Sequence, residues 1–334
     1  MINRKGAKAL TRRRTGGGYQ NVVNSSPLFY LSNILYKVFR FFFFVCMVFI
    51  ILYPLLYMVS MAFRTLDDVY DPSIVWLPRH YTIQNFSEVI AVTNYPLALF
   101  NTILMSISCS LIQVFITAFV GYGFARFRFF GRNVMLGIVI FTIVVPAQMV
   151  SLPNYINFRD FDIMGIKTML TGSGFGFSLL GQPLSFILIA LFGMGIRSGL
   201  FILLFRQYFR GLPSELEDAA LVDGCGALRT FLRIMLPNAR NIMLMIFLFS
   251  FVWYWNDYYL SSIYLGTDFP TVSTRLSALQ GMLELTMKTD SYDPYQVVCL
   301  QQAFCLLVIL PPLILYAFLQ KNFMQGVEKS GIVG

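Results

Sequence analysis

The sequence predicts an all-α polytopic membrane protein with six transmembrane helices and both termini in the cytosol. Three observations predict it. Of 334 residues, 57% are hydrophobic and only 12% charged, against about 25% charged in a soluble domain. Apolar runs recur at lengths near the roughly 20 residues that a helix needs to cross a hydrocarbon core. The basic residues gather between those runs, mainly on one side. The mean hydropathy is +0.67.

The first 35 residues carry Arg4, Lys5, Lys8 and Arg12–Arg14 with a glycine run and no apolar core. They read as a disordered, basic cytosolic tail and not as a cleavable signal peptide. Six apolar segments follow, within a membrane domain spanning 36–320: about Tyr36–Phe63, Leu97–Phe124, Val134–Ile156, Leu184–Phe205, Asn238–Ile263 and Val297–Leu319. Residues 321–334 read as a short cytosolic tail.

With the N-terminus inside, all but seven of the 25 Lys and Arg residues lie in cytosolic segments; the seven are Arg64, Arg79, Arg159, Lys167, Arg197, Arg275 and Lys288. The positive-inside rule favours this orientation. The outer segments, about Arg64–Pro96, Asn157–Pro183 and Gly266–Gln296, are longer and less basic. The Gly172–Gly181 portion is rich in Gly and Ser and reads as flexible. The lone His80 has no Cys or acid at ligand spacing, so no metal site is expected. Cys46, Cys109, Cys225, Cys299 and Cys305 show no pairing pattern and are expected to be free thiols.

One polar stretch lies between the fourth and fifth spans, Pro213–Pro237 within a cytosolic loop of 206–237. Ser214 and Glu217 have capping-box spacing, which predicts a helix start. Leu216, Ala219 and Ala220 fall on one face, and Gly224 stands where a left-handed residue ends a helix. A second helix is predicted from Ala227, with Leu228, Phe231, Leu232, Met235 and Leu236 on one face and Pro237 at its close.

Ionisable groups are scarce within the spans. Arg197 interrupts the fourth, where it either snorkels outward or lines a pathway, and Asp257 lies near the outer end of the fifth. Without an acid or histidine relay, an ion-coupled carrier is disfavoured. Trp253, Tyr254, Trp255, Asn256 and Asp257 form a cluster that serves as an interfacial belt or, alternatively, as a stacking surface for a ring-shaped, hydroxyl-rich substrate. The charge pattern shows no basic patch with interleaved aromatics, so no nucleic acid partner is expected. There is no GxxxxGK[ST] phosphate loop, GxSxG, HExxH or CxxC. The chain therefore has no predicted catalytic residues, and any driving energy comes from another polypeptide.

The residues Asp218-Ala219-Ala220, then Leu221-Val222-Asp223-Gly224, then Ile234-Met235-Leu236-Pro237 resemble the Glu-Ala-Ala loop of permease subunits in binding-protein-dependent ABC importers. Leu52–Leu55, Tyr81–Phe86, Gly121–Arg126, Phe130–Arg132, Val145-Pro146, Trp255–Asp257 and the C-terminal segment from Phe318 are similar to the carbohydrate-uptake branch, in the manner of the smaller maltose-type permeases. The resemblance implies the ABC type I importer permease fold in a bacterial cytoplasmic membrane. It also implies a second permease subunit, in a heterodimer, two ATPase subunits that use ATP and Mg, and an extracellular solute-binding protein delivering a carbohydrate, an oligosaccharide or glycoside. No cofactor belongs to this chain itself.

The same resemblance makes Glu215, Glu217, Asp218, Ala219, Ala220, Asp223 and Gly224 the ATPase-docking coupling helix, and Trp253, Trp255, Asn256 and Asp257 candidate residues of the substrate pathway. A peptide or amino-acid importer, or an ion-coupled carrier, stands as the alternative. Asp218 replaces the usual Glu, Cys225 replaces a small Ala, and the segment 165–197 is longer than that family's pattern.

Overall fold

The computed structural model describes residues 27–162, 169, 177–287 and 293–331. Much of the Gly- and Ser-rich outer segment, the start of the lengthened 165–197 segment and residues 1–26 of the expected tail lie outside the described residues. The described chain is helical, apart from turns and two isolated backbone bridges, Arg64 with Tyr81 and Phe161 with Phe177.

The chain forms two compact units, Met1–Ser60 and Met61–Gly334. Helix α1, Pro27–Ala62, occupies the described part of the first and ends in the second. It begins nine residues before the apolar run, because Pro27 suits a first helical turn and nothing up to Tyr36 breaks it. Its side chains from Leu31 to Tyr57 are exposed, as expected of a helix that is apolar all round.

In the second unit, α2 (Leu66–Tyr70) and α3 (Gln84–Thr93) precede the long helix α4 (Tyr95–Arg126). Helix α4 contributes to all three hydrophobic clusters: Tyr95 and Ala98 to one, Met105 and Cys109 to another, and Val114, Ala118 and Tyr122 to the third. It therefore lies at the centre of this unit's packing. A buried polar row, Thr102, Ser106, Ser110, Gln113 and Thr117, runs along it.

The third expected span is two helices, α5 (Arg132–Val144) and α6 (Ala147–Arg159), bent by 100°. Pro146 explains the break, since it forces Val145 into an extended conformation, here with ψ 120.

The fourth expected span is also divided, into α7 (Leu184–Leu191) and α8 (Ser198–Gly211). Gly193 and Arg197 take left-handed backbone, φ +71 and φ +60. The break is filled from α4: Gln113 Nε2 donates to the Ile196 carbonyl at 2.6 Å and to Ser198 Oγ at 3.0 Å, and Ser250 Oγ donates to Gln113 Oε1 at 3.0 Å. Backbone that leaves helical geometry inside an apolar unit needs such partners. Helices α4 and α8 cross closely at Gly121, where a Cβ would stand 2.6 Å from Phe205 Cβ and 3.0 Å from the Ile202 carbonyl oxygen.

The polar stretch forms α9 (Glu215–Val222) and α10 (Ala227–Asn238). Helix α11 (Arg240–Asn256) follows at a 79° bend. Helices α12 (Tyr259–Tyr264), α13 (Val272–Met287) and α14 (Pro294–Gly331) complete the chain. The fifth expected span thus ends early, at Asn256, because Asp257 turns extended and caps the next helix. The sixth runs on at both ends, so the expected C-terminal tail is helical to Gly331. Among the described residues three helices are long and apolar enough to cross a membrane, or up to five if each bent pair is one span. All five cysteines are free.

Candidate coupling site

Helix α9 begins where the spacing predicts, but not by the predicted device. Ser214 has helical backbone, φ −70 and ψ −25, and makes no side-chain cap. Its carbonyl accepts from the N–H groups of Glu217 at 2.9 Å and Asp218 at 3.1 Å. The reciprocal capping box does not form because Glu217 turns the other way, towards Arg126. Three acids in the first turn, Glu215, Glu217 and Asp218, still oppose the positive end of the helix dipole.

Gly224 ends α9 with φ +76. Cys225 N–H donates to the Ala220 carbonyl at 2.8 Å and Gly224 N–H to that of Leu221 at 3.0 Å. This pair of bonds is a Schellman closure, in which a left-handed residue folds the chain back onto the last carbonyls. Nothing lies within 4 Å of a Cβ placed at Gly224, so backbone conformation alone demands glycine there.

Helix α10 contains a wider π turn at Phe231–Met235, with Leu236 N–H bonded to the Phe231 carbonyl. Pro237 supplies the cause: it has no N–H, and its ring would crowd the carbonyl four residues back in a regular α-helix. The helix passes through Pro237 and stops at Asn238, whose Nδ2 donates to the Ile234 carbonyl at 2.8 Å. The predicted apolar face is divided. Phe231 and Met235 are buried, whereas Leu228 and Leu232 are exposed.

Two contacts hold this segment to the end of α4. The first is aromatic: the ring of Tyr122 lies 5.5 Å from Phe209 and 5.2 Å from Phe231, joining α4, α8 and α10. The second is ionic. Arg126 Nε lies 3.3 Å from Glu217 Oε2, both side chains less than a fifth exposed. The same guanidinium donates from Nη2 to the Leu212 carbonyl at 2.7 Å.

The predicted docking residues therefore have unlike surroundings. Ala220 is buried and Glu217 is engaged within the chain. Glu215, Asp218, Ala219, Asp223 and Gly224 are exposed, as are Leu221 and Val222. Arg126 and Tyr122 were not singled out as site residues by sequence reasoning. Both lie in the Gly121–Arg126 stretch that carries the family resemblance, and Arg126 counted as a topological charge; the further signal was its sign, opposite to that of Glu217.

The pathway residues are not brought to one face. Trp255 is buried in the first cluster, and its Nε1 donates to the Val308 carbonyl at 3.1 Å. Asp257 accepts from Ser261 N–H at 2.8 Å and Ser261 Oγ at 3.0 Å, which starts α12. Asn256 is exposed. Trp253 packs with the second cluster, stacked 5.4 Å from Phe201, and the Arg197 guanidinium lies 5.6 Å from its ring centroid.

Apolar helices α7, α8 and α11 pack on α4, and the polar helix α9 is pinned to its end, an architecture suited to a membrane-embedded protein. The family described as "Binding-protein-dependent transport system inner membrane component" matches residues 113–329, and the chain belongs to that family. It is a multi-pass protein of the cytoplasmic membrane with the ABC importer permease fold. It is 30% identical over 306 residues to a maltodextrin transport system permease protein of Bacillus subtilis, covering 91% of this chain and 98% of that one. It is 27% identical over 259 residues to an alpha-glucoside transport system permease protein of Rhizobium meliloti, covering 77% of this chain and 62% of that one. A crystal structure of a bacterial ABC transporter involved in the import of the acidic polysaccharide alginate contains a chain with TM-score 0.69 and 21% identity, covering 87% of this chain and 98% of that chain; it supports the fold alone.

Proposed function

We propose that this chain is one of two permease subunits, paired as a heterodimer, of an ATP-driven importer for a carbohydrate, an oligosaccharide or glycoside. An extracellular solute-binding protein delivers the sugar. Two ATPase subunits bind ATP and Mg and dock on α9, since this chain carries no phosphate loop of its own. The two relatives, named for maltodextrin and alpha-glucoside transport, support a sugar over a peptide or amino acid.

The observation that carries the reading is the two-sided character of α9. One side is anchored by Glu217 to Arg126. Asp218 and Val222 lie away from that side and are exposed, and Leu221, one turn on from Glu217, is exposed as well; together they offer an acid and an apolar edge fit for a groove with basic residues. Closure of the ATPase dimer pulls α9, and the ion pair passes the displacement to α4 and the helices packed on it. Packed helices move as bodies between two arrangements, here open outward and open inward.

Val222→Cys with a cysteine cross-linker, in membranes holding the whole transporter, tests the docking. A cross-link to the ATPase subunit that ATP binding alters supports it. Labelling of the introduced thiol by small reagents alone, with no ATPase adduct, contradicts it.

A further inference from the structure

Arg197 stands where the fourth apolar segment breaks, and its place in depth follows from two helices. Helix α8 runs 14 residues from Ser198 to Gly211, about 21 Å at ~1.5 Å per residue. Trp253 lies a similar ~20 Å along α11 from Arg240. The near ends of both helices meet the coupling segment, through Arg126 on the Leu212 carbonyl and Tyr208 on the Asn238 carbonyl. Arg197 and Trp253 are thus at one level along the two helices, and with Leu184–Phe205 read as a span that level falls within a hydrocarbon core of about 30 Å.

At that depth a charged group exposed to lipid tails is unfavourable, and such groups face protein or a watery pathway. Arg197 is exposed on this chain. Among the described residues no carboxylate forms a salt bridge with it, and Asp257, the acid of the fifth apolar segment, is bound to Ser261 and Leu260. Its guanidinium lies instead over Trp253, which stacks in turn on Phe201. A guanidinium engaged with a ring only through a cation–π contact spends none of its N–H groups on it, and those groups match the two oxygens of a carboxylate or phosphate.

We propose that Arg197 and Trp253 form a subsite in the translocation pathway for a sugar bearing an anionic group, a carboxylate or a phosphate. Arg197 pairs with the anion, and the exposed part of Trp253 packs against the sugar ring. The subsite rests on the carbohydrate reading and narrows its substrate class.

The test uses the complete transporter with its binding protein in liposomes loaded with ATP. The probes are a neutral disaccharide, the matching uronic-acid disaccharide and its phosphorylated form. The wild type is expected to take up one or both acidic probes. Arg197→Gln lowers that uptake about tenfold or more, changes neutral uptake less than about twofold, and Arg197→Lys recovers a part, because charge remains while the fork of donors is lost. Which acidic probe is transported separates carboxylate from phosphate.

Equal loss of neutral and acidic uptake in Arg197→Gln, or uptake of the neutral probe alone by the wild type, overturns the subsite and leaves the carbohydrate reading standing. Uptake of none of the three overturns both. A second measurement guards against misfolding: Arg197→Cys is modified by an anionic, membrane-impermeant thiosulfonate, and the acidic probe slows that reaction. No modification, or modification indifferent to the probe, or loss of assembly with the second permease in the Gln and Lys variants alike, makes Arg197 a contact between subunits and overturns the subsite.

Discussion

Arg126 and Glu217 form a half-buried ion pair, Nε to Oε2 at 3.3 Å, between the last residue of α4 and the first turn of α9. Two adjacent acids on one short helix therefore do different work. Glu217 faces inward to a fixed partner and Asp218 faces outward. Separating the partners by mutation leaves one charge with reduced hydration, at a cost of about 1–3 kcal/mol, between that of an exposed and a fully buried pair. Glu217→Gln and Arg126→Ala are expected to insert and assemble normally while ATP hydrolysis proceeds with little uptake. The charge-exchanged double variant, Arg126→Glu with Glu217→Arg, recovers coupling in part. The ratio of sugar transported to ATP hydrolysed in liposomes checks this; an unchanged ratio in both single variants would remove the pair from the coupling path.

Gly224 gives a prediction that separates backbone from side chain. Its φ of +76 disfavours most L-residues by roughly 1–2 kcal/mol, yet the space around it is open. Gly224→Asn is expected to keep most uptake, because Asn tolerates left-handed backbone, and Gly224→Val to lose it at equal membrane abundance. If Val and Asn behave alike, the Schellman closure of α9 is not what uptake depends on.

Gln113 holds three groups at once: the Ile196 carbonyl, Ser198 and Ser250. Gln113→Leu leaves buried polar atoms without partners, at about 1–3 kcal/mol for each group orphaned. The purified variant is expected to unfold in detergent several degrees below the wild type, with the loss of hydrogen-exchange protection centred on 192–200. A wild-type melting temperature would show that the break in the fourth segment does not need Gln113.

Asp68 gives a dependence on pH in the segment between α1 and α3. Burial raises its pKa, but the backbone N–H and ring of His80 and the backbone N–H of Arg79 together outweigh burial and hold it below the ordinary carboxylate value. A folded pKa below the unfolded one means that the contribution to stability is full above about pH 3.9. It is lost as the pH falls through the lowered folded value. Hydrogen exchange at Arg79 and His80, corrected for intrinsic rates, is expected to show protection at neutral pH and its loss in acid. Asp68→Asn should lose the protection at neutral pH as well; protection intact in that variant would mean that the carboxylate does not organise the loop.

These outcomes bear on how far the fold and site were legible in the amino-acid sequence. Gly224 marked the end of α9 because the cause is local: a left-handed backbone with glycine in it. Pro146 likewise lay in plain view, although its effect, a 100° bend, depends on what α5 and α6 pack against. The division of the fourth segment was hidden, since Leu184–Phe205 reads as one apolar run and the break is completed by Gln113 on a distant helix. Glu217 was legible as a helix-start acid. Its inward turn was not, because Arg126 reaches it only once α4 and α8 have packed. Trp255 read by composition as a belt or packing residue or, alternatively, as a stacking surface, and its burial in the first cluster with a bond to the Val308 carbonyl gives it a structural task.

The most direct test is uptake by the reconstituted transporter, with ATP enclosed and all ion gradients collapsed. Sugar is expected to accumulate under those conditions and to stop when the enclosed ATP is omitted, with Gly224→Val lowering uptake in proportion to its loss of coupling. Uptake that follows an imposed ion gradient and persists without ATP would contradict a permease driven by a separate ATPase through α9.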